Sequence, residues 1–228
     1  MIGIIGAMKI EVETLKAAMT CKKTEKISGI EFVSGNLYGK EAVVAQCGIG
    51  KVFAAICAQT MILIYGVDTV INTGVAGTLS SELGIADIAV SSACVQHDMD
   101  TSPLGDPVGL ISGINIIEIP ASENLCTLVC REAENLSINA KAGVIASGDC
   151  FVSSPEKKRY ISETFSGVAC EMEGASIAQV CYVNGVDFVV IRAISDSADG
   201  SAEMDYGEFS ALAADKSAKV VKAVLESI

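Results

Sequence analysis

Residues 187–196 read DFVVIRAISD, an apolar run of strand-forming residues that ends in a carboxylate. Val, Ile and Phe follow one another here instead of alternating with polar residues. Such a run is typical of a strand that is covered on both faces, as in a sheet enclosed between helices. The stretch therefore predicts a buried strand over residues 187–194, with Asp196 just beyond its carboxyl end.

Similar short runs alternate along the chain with longer segments of helical periodicity. The other strands are predicted over residues 2–7, 31–37, 42–46, 69–72, 85–91, 143–146 and 167–170. The helices are predicted over residues 11–19, 51–65, 122–135, 154–163, 174–184 and 208–226. This alternation indicates an α/β fold in one domain, residues 1–228, with a mixed central β-sheet flanked by helices on both faces. Ligands in such folds gather where strands end, so those ends are the places to search.

The composition excludes several classes of function. Half of the 228 residues are hydrophobic, which excludes a disordered chain, and the net charge of −12 argues against a nucleic-acid partner. The most apolar stretch, residues 52–65, is shorter than a membrane span, and the N-terminus lacks the basic start of a signal peptide. We therefore expect neither a membrane nor a nucleic acid as a partner.

Nine cysteines and one histidine make up the potential soft metal ligands. No pair of cysteines has the CxxC spacing, so no metal site is predicted, and no cofactor is expected. Free cysteines within apolar runs fit a reducing compartment, which predicts a cytoplasmic protein. His97 is expected to be a structural residue with satisfied hydrogen bonds and no catalytic part.

Two glycine pairs resemble nucleotide-binding motifs without matching them. Gly3 and Gly6 lack the GxGxxG spacing, and the segment 45–52 lacks both the first glycine and the Ser or Thr of a phosphate-binding loop. Both are interpreted as tight strand-to-helix turns that leave backbone N–H groups open to a ligand.

Acidic residues occur at three predicted strand-to-helix junctions. Glu11 begins a helix, Glu171 and Glu173 bracket Met172, and Asp196 ends the run quoted above. Each alone has an ordinary explanation, such as a first-turn acid, a solvated edge or a helix cap. Together they point to one site, because carboxylates are seldom buried without a partner or a task. The acidic segment 196–208 is otherwise expected to be a solvated, mobile loop before the last helix.

Five segments carry a resemblance to a known family. GIIGAMKIEVETL, NTGVAG, SGDCFV, CEMEGASIAQVC and VVIRAISDSAD occur in order over nearly the whole chain. Together they resemble the 5′-methylthioadenosine/S-adenosylhomocysteine nucleosidases of the nucleoside phosphorylase/nucleosidase superfamily. The resemblance implies hydrolysis of the N-glycosidic bond of these nucleosides, and possible use of 5′-deoxyadenosine, in methionine salvage and the recycling of S-adenosylmethionine by-products.

The resemblance also implies roles for the residues at matching positions. Asp196 would be the acid that protonates N7 of adenine, and Glu11 would deprotonate the water that attacks C1′. Glu173 would bind the ribose hydroxyls. The other matching positions are Met172 beneath the ribose, Phe151 and the Val152 backbone at the base, Arg192 near the water, Ser195 near the acid, Gly77 at a close backbone approach, and Met8, Ile49 and Tyr206 as walls of the ribose and alkylthio pocket.

Three departures from the family pattern bear on the site. Val75 stands where many members have Ser in NTGSAG, which removes a hydroxyl near the water. Lys9 and Ile10 replace an acidic pair, and residues 99–117, which in the family reach across a dimer interface, differ here. The resemblance and the apolar composition together predict a homodimer.

Three other functions stay open at this point. A purine nucleoside phosphorylase has the same fold but needs a phosphate site, and residues 1–19 contain no arginine to build one. A futalosine or AMP nucleosidase is excluded less well. A non-catalytic nucleoside-binding module would not need both Glu11 and Asp196.

Overall fold

The computed structural model describes residues 1–199 and 201–228, apart from the side chains of residues 203 and 204. The described strands are β1 (Ile2–Gly6), β2 (Thr20–Ile27), β3 (Ile30–Leu37), β4 (Lys40–Gln46), β5 (Thr69–Thr78), β6 (Ile88–Gln96), β7 (Ile119–Pro120), β8 (Ala140–Ser147), β9 (Gly167–Glu171) and β10 (Asp187–Asp196). The described helices are α1 (Lys9–Ala18), α2 (Lys51–Tyr65), α3 (Glu123–Asn135), α4 (Pro155–Phe165), α5 (Gly174–Asn184) and α6 (Ala202–Ser227).

All the described strands belong to one sheet that partly closes on itself. The path from β10 through β6, β8 and β9 returns to β5, which also pairs with β10. From β5 the sheet continues outward through β1, β4, β3 and β2. The pairings include parallel and antiparallel ones, so the predicted mixed sheet is confirmed, whereas its partial closure was not predicted.

The strand β5 changes neighbours along one of its edges. Residues 69–72 pair with β1 in parallel, and Gly77 and Thr78 pair with the end of β9 in antiparallel. The opposite edge pairs with β10 over residues 69–77. Over residues 73–76 the first edge therefore has no strand partner among the described residues, and this gap lies where β1, β9 and β10 all end.

The helices cover both faces of the sheet, as predicted. Apolar side chains of α1, α3 and α6 share one buried cluster, and those of α2 and α5 share another. A third, smaller cluster includes Ile161 and Phe165 of α4, together with Ala198. None of the helices that the structure describes is both long and apolar enough to cross a membrane.

Several elements differ from the sequence prediction: β7 was not predicted, β5 and β6 extend further than expected, and β2 and the start of α6 differ most. The strand β2 was missed because its residues are mostly exposed and polar, as is common for charged edge strands. The last helix begins at Ala202 instead of residue 208, so the prediction of a solvated loop over 196–208 is wrong. Asp196, Ala198 and Ala202 are buried, and a Ser201 hydroxyl that bonds to both Asp199 and Asp205 links the start of the helix to the preceding turn.

Candidate active site

A cavity of about 300 Å³ opens at the gap beside β5. This volume is at the lower end of the range for small-molecule sites. The predicted residues that line it are Met8, Glu11, Ile49, Gly77, Phe151, Met172, Glu173, Ser195, Asp196 and Tyr206. Residues from all five of the segments quoted above, together with Ile49 and Tyr206 outside them, thus meet at one place.

Two predicted residues lie just outside this lining. Val152 lines a small adjoining cavity that shares Gly77, Phe151 and Asp196 with the larger one. Arg192 is 1% exposed and lies behind the lining, among carboxylates. The structure therefore brings Arg192 to the side of the site near Glu11, without placing it on the cavity wall.

Backbone donors hold Glu11 in place. The N–H of Met8 donates to Oε2 at 2.8 Å. The N–H of Val75, on the edge of β5 that has no described strand partner here, donates to Oε1 at 3.1 Å. Burial raises the pKa of Glu11, against the opposing effects of the Arg192 charge and these backbone hydrogen bonds. A buried carboxylate with a raised pKa is a better base than an exposed one, provided that it is ionised.

Gly74 gives Glu11 the space that it occupies. A Cβ built on Gly74 would lie 2.5 Å from both Glu11 Oε1 and Arg192 Nη1. Real Cβ atoms essentially never come so close to another atom, so only glycine fits between these two charged groups. The sequence analysis assigned no role to Gly74, although it lies within the quoted NTGVAG segment.

Asp196 lies at the end of β10 and receives two hydrogen bonds. The Ser195 hydroxyl donates to Oδ2 and the Ala198 N–H donates to Oδ1, both at 2.9 Å. Ala198 adopts a left-handed conformation, with φ of 51°, which costs a non-glycine residue on the order of 1 kcal/mol. The turn that directs this N–H toward Asp196 is therefore strained at Ala198.

The surroundings of Asp196 favour its protonated form. Burial raises the pKa of Asp196, and the negative charges of Asp205 and Asp199 raise it further, against the two hydrogen bonds. A Cβ on Gly77 would lie 2.6 Å from Asp196 Oδ1, so this glycine allows close approach of the strand to the acid. The prediction that Gly77 lets the backbone approach the substrate stays a prediction, although Gly77 does line the cavity.

Glu173 connects the cavity with the start of α2. Its Oε1 accepts a hydrogen bond from the N–H of Gly50 at 2.8 Å, and its Oε2 lies 3.7 Å from Arg192 Nη2. Burial and the Glu171 charge raise the pKa of Glu173 to about 7, although Arg192 opposes them. Gly50 has a φ of 97°, a conformation that favours glycine and directs its N–H to this carboxylate.

Aromatic and sulfur-containing side chains form the apolar wall. The rings of Phe151 and Tyr206 meet edge to face with centroids 5.7 Å apart, and the Tyr206 hydroxyl lies 2.9 Å from Met8 Sδ. Phe151 and Ile49 are 46% and 58% exposed, so part of this wall faces outward. Such a wall suits a flat, apolar ligand group that stacks on a ring.

Sequence reasoning gave no role to three polar residues, of which Glu171 lines the cavity and Ser147 and Asn72 lie behind it. Glu171 forms a buried ion pair with Arg192, Ser147 donates to Glu171, and Asn72 accepts from Arg192 at 2.6 Å. Glu171 was counted among the carboxylates that point to one site but was given no role in it. Ser147 and Asn72 are the first residues of the quoted SGDCFV and NTGVAG segments, and this position was the signal that could have drawn notice to them.

His97 differs in part from its prediction. The ring is buried, as expected of a structural residue, and does not line the cavity beside β5. However, both ring nitrogens lack a hydrogen-bond partner in the described part of the chain, so the expectation of satisfied hydrogen bonds is wrong. The ring packs beneath Gly148, where a Cβ would lie 2.4 Å from it.

Comparisons with known proteins agree on one family. The Phosphorylase superfamily profile matches residues 1–226. A curated protein from Shewanella halifaxensis (strain HAW-EB4), named 5′-methylthioadenosine/S-adenosylhomocysteine nucleosidase, is 40% identical over 228 residues, which cover 100% of this chain and 99% of that protein.

Two solved structures resemble this one over its whole length. A 5′-methylthioadenosine/S-adenosylhomocysteine nucleosidase from Neisseria meningitidis, in complex with methylthio-immucillin-A, has a TM-score of 0.96 at 36% identity and covers 100% of this chain and 99% of its own. A structure described as futalosine hydrolase of Helicobacter pylori strain 26695 has a TM-score of 0.95 at 40% identity and covers 100% and 97%.

Proposed function

This chain belongs to the phosphorylase superfamily and, within it, to the 5′-methylthioadenosine/S-adenosylhomocysteine nucleosidases, and we propose how its cavity performs their reaction. It is an N-glycosyl hydrolase that splits these nucleosides into adenine and the 5-substituted ribose. The observation that carries the mechanism is the presence of two unlike carboxyl groups, Glu11 and Asp196, in one cavity. Glu11 lies against Gly74 and Asp196 lies against Gly77. These two glycines are three residues apart on β5, which separates them by about 10 Å along the strand.

Glu11 acts on the water and Asp196 on the leaving group. As the C1′–N9 bond breaks, Asp196 gives its proton to N7 of adenine, so the base leaves as a neutral molecule. The water oxygen bonds to C1′ of the cationic sugar, and Glu11 takes the proton that the water loses. The anionic neighbours of Asp196 and the cation near Glu11 favour the protonation states with which this reaction begins.

Glu173 binds the ribose hydroxyls and offsets the positive charge of the sugar in the transition state. Met172 lies beneath the ribose, Phe151 stacks on the adenine, and the Val152 backbone contacts the edge of the base. Ile49, Met8 and Tyr206 surround the 5′ substituent. The apolar wall and the position of Glu173 beside it support this arrangement.

Water, and not phosphate, is the second substrate. Among the described residues that line the cavity none is Lys or Arg, and Arg192 lies behind the wall with its charge engaged by carboxylates. A phosphate ion at Glu11 would meet a carboxylate without a free cation to balance it. The structure thus favours hydrolysis over phosphorolysis.

The decisive assay measures adenine release from 5′-methylthioadenosine with and without inorganic phosphate. We expect equal rates, with free 5-methylthioribose as the sugar product. Dependence on phosphate, together with a sugar 1-phosphate product, would identify a phosphorylase instead. Absence of release together with tight binding of the nucleoside would identify a binding module.

A panel of nucleosides tests the substrate range. It contains 5′-methylthioadenosine, S-adenosylhomocysteine, 5′-deoxyadenosine, futalosine and AMP, because one similar structure is described as a futalosine hydrolase. We expect the two thio-substituted nucleosides to have the highest kcat/KM. Faster hydrolysis of futalosine would assign the chain to the other activity.

The protein forms a homodimer through the apolar face of α2. Val52, Phe53, Leu63 and Ile64 are exposed on this helix, and the exposed Ile49 just before it also lines the cavity. Exposed apolar patches of this kind mark association surfaces. A partner subunit seated there, with residues around 103–107 reaching across, would close the 5′ end of the site.

Light scattering tests this interface. Val52→Glu places a charge on the α2 face and should yield monomers with weakened use of long 5′ substituents. Leu212→Glu, at an exposed apolar position on α6, is the matched control and should remain a dimer. A fully active monomeric wild type would refute the shared site.

We place the protein in the cytoplasm as one domain over residues 1–228. Its nine cysteines are free in the structure, which suits a reducing compartment, and a single sheet connects the strands from β1 to β10. Fractionation of the source cells, with detection of the protein in the soluble or envelope fraction, tests the location. Limited proteolysis that releases no stable fragment would support the single domain.

A further inference from the structure

Glu171 contributes to the cavity wall yet has no capacity left for a substrate. Its Oε1 accepts from the Ser147 hydroxyl and the Gly174 N–H, and its Oε2 accepts from the N–H groups of Glu173 and Gly174 and from Arg192. A carboxylate offers about four lone-pair sites, so these contacts use all of them. Burial acts to raise the pKa of Glu171, but the Arg192 charge and these hydrogen bonds outweigh it and hold the pKa below its usual value.

Arg192 lies between Glu171 and the carboxylates that act on the substrate. Its Nε and Nη2 both donate to Glu171 Oε2, with Nε at 3.1 Å, while Nη2 is 3.7 Å from Glu173 Oε2. Its Nη1 faces Glu11 across the space left by Gly74. The guanidinium is buried, so its position depends on these partners and on Asn72.

The charges in this cluster do not balance. Glu11, Glu171 and Glu173 are three carboxyl groups for one guanidinium, and Glu171 has the closest contact with it. The other titratable side chains that interact with the cluster are uncharged at neutral pH, because burial raises the pKa values of Cys47, Cys94, Cys170 and Tyr206 and lowers that of His97. Glu11 and Glu173 are therefore left without a full counter-ion, which suits groups that must receive a proton and face a cationic sugar.

We propose that Glu171 is a positioning residue for the hydrolysis, one that fixes Arg192 and the first turn of α5 and so keeps Arg192 from pairing fully with Glu11 and Glu173. This role rests on the proposed function of Glu11 and Glu173. It predicts that loss of the Glu171 charge lets the guanidinium turn toward these two carboxylates. Arg192 would then neutralise the charges of Glu11 and Glu173 before the sugar becomes cationic. Because these charges stabilise the cationic transition state more than the neutral substrate, the rate would fall while substrate binding would change little.

The test compares Glu171→Gln with Glu132→Gln. Glu132 is also a buried glutamate paired with an arginine, Arg131, but it lies on α3 and does not line the cavity. We expect Glu171→Gln to lower kcat roughly tenfold to a hundredfold with little change in KM, because small displacements of catalytic groups have effects of this size. Its kcat/KM profile should also keep activity to lower pH, since Arg192 would favour ionised Glu11. Glu132→Gln should leave kcat and the pH profile unchanged.

Ser147→Ala serves as a second variant in case Glu171→Gln does not fold. It removes one donor to Glu171 while keeping the charge, and we expect a fall in kcat of a few fold at constant KM. Wild-type kcat and pH profile in folded Glu171→Gln, or equal losses in the Glu171 and Glu132 variants, would overturn the proposal. If Glu171→Gln is unfolded, an unchanged kcat in Ser147→Ala would overturn it. Failure of the wild type to release adenine would instead refute the proposed function.

Discussion

The two ends of the cavity hold similar carboxyl groups in opposite electrostatic surroundings. The neighbouring charge that acts most on the pKa of Glu11 is the cation Arg192, whereas the neighbouring charges that act most on the pKa of Asp196 are the anions Asp205 and Asp199. Burial raises the pKa at both ends, so burial alone cannot separate an acid from a base. The neighbouring charges make the distinction, since a cation favours the ionised form and anions favour the protonated form.

The largest effect is expected at the acid end. Asp196→Asn should fold normally but lose about 10²–10⁴-fold in adenine release, because an amide cannot donate a proton and regain it. Ser195→Ala, which removes one hydrogen bond to Asp196, is the control and should lose much less. Purified Asp196→Asn that keeps more than a tenth of wild-type turnover would show that this end does not supply the proton.

Substitutions of Glu11 and Glu173 should have different effects on substrate binding and on turnover. Glu11→Gln should bind the nucleoside normally and lose turnover, because it removes the group that takes the proton from water. Glu173→Gln should lose both affinity and turnover, because it weakens the ribose contact in the ground and transition states. Calorimetry with a non-hydrolysable nucleoside analogue and steady-state kinetics measure the two effects. An equal fall in binding and in rate for both variants would contradict this division.

Two glycine substitutions test the ends by sterics alone. Gly74→Ala would push against Glu11 and Arg192, and Gly77→Ala against Asp196 and Ala198. We expect each to lower kcat by roughly a hundredfold, the effect of displacing a catalytic group by about 1 Å. Gly84→Ala is the control, since its Cβ would have only one contact, at 3.8 Å. A kcat near that of the wild type in either variant would show that the neighbouring carboxyl group, Glu11 or Asp196, can be displaced without loss of catalysis.

The smallest effect concerns stability. Because the pKa of Glu173 is raised to about 7 in the folded protein, wild-type stability should fall as the pH rises from the unfolded-state pKa, near 4.5, through 7. Glu173→Gln has no charge to bury, so its melting temperature should exceed that of the wild type by a few degrees at pH 8 and by less at pH 5. Parallel melting curves across this range would mean that the Glu173 pKa is not raised.

The carboxylates of the site could be predicted from their places near recognisable strands, whereas the other site residues and all the roles were expected only from the family resemblance. Glu11 follows β1 and Asp196 ends β10, and both strands run parallel to β5, so this part of the site follows from strand order, whereas Glu173 reaches it through the antiparallel pairing of β9 with β5. The helices over 51–65 and 174–184 were predicted with their observed bounds, since glycine follows both. Local signals of this kind depend on the residues at the boundary and little on the rest of the fold.

The features of the fold and site that were not predicted depend on contacts between segments that are distant in the sequence. The closure of the sheet rests on the pairing of Gly77 with Cys170, which no local pattern encodes. The importance of Gly74 appears only when Glu11 and Arg192 are seen on either side of it. The early start of α6 depends on hydrogen bonds from Ser201 to acids that the sequence alone suggested were solvated.

The hydrogen bond from Gly50 to Glu173 would link nucleoside binding to the proposed association of subunits. It joins the first residue before α2, the helix with the exposed apolar face, to the carboxylate assigned to the ribose. A nucleoside that engages Glu173 and a subunit that docks on α2 therefore act on the same bond. If association of subunits raises the affinity for the nucleoside by some factor, the bound nucleoside must raise the affinity between the subunits by the same factor. If the proposed dimer forms, its dissociation constant would therefore measure how well the site accommodates its ligand.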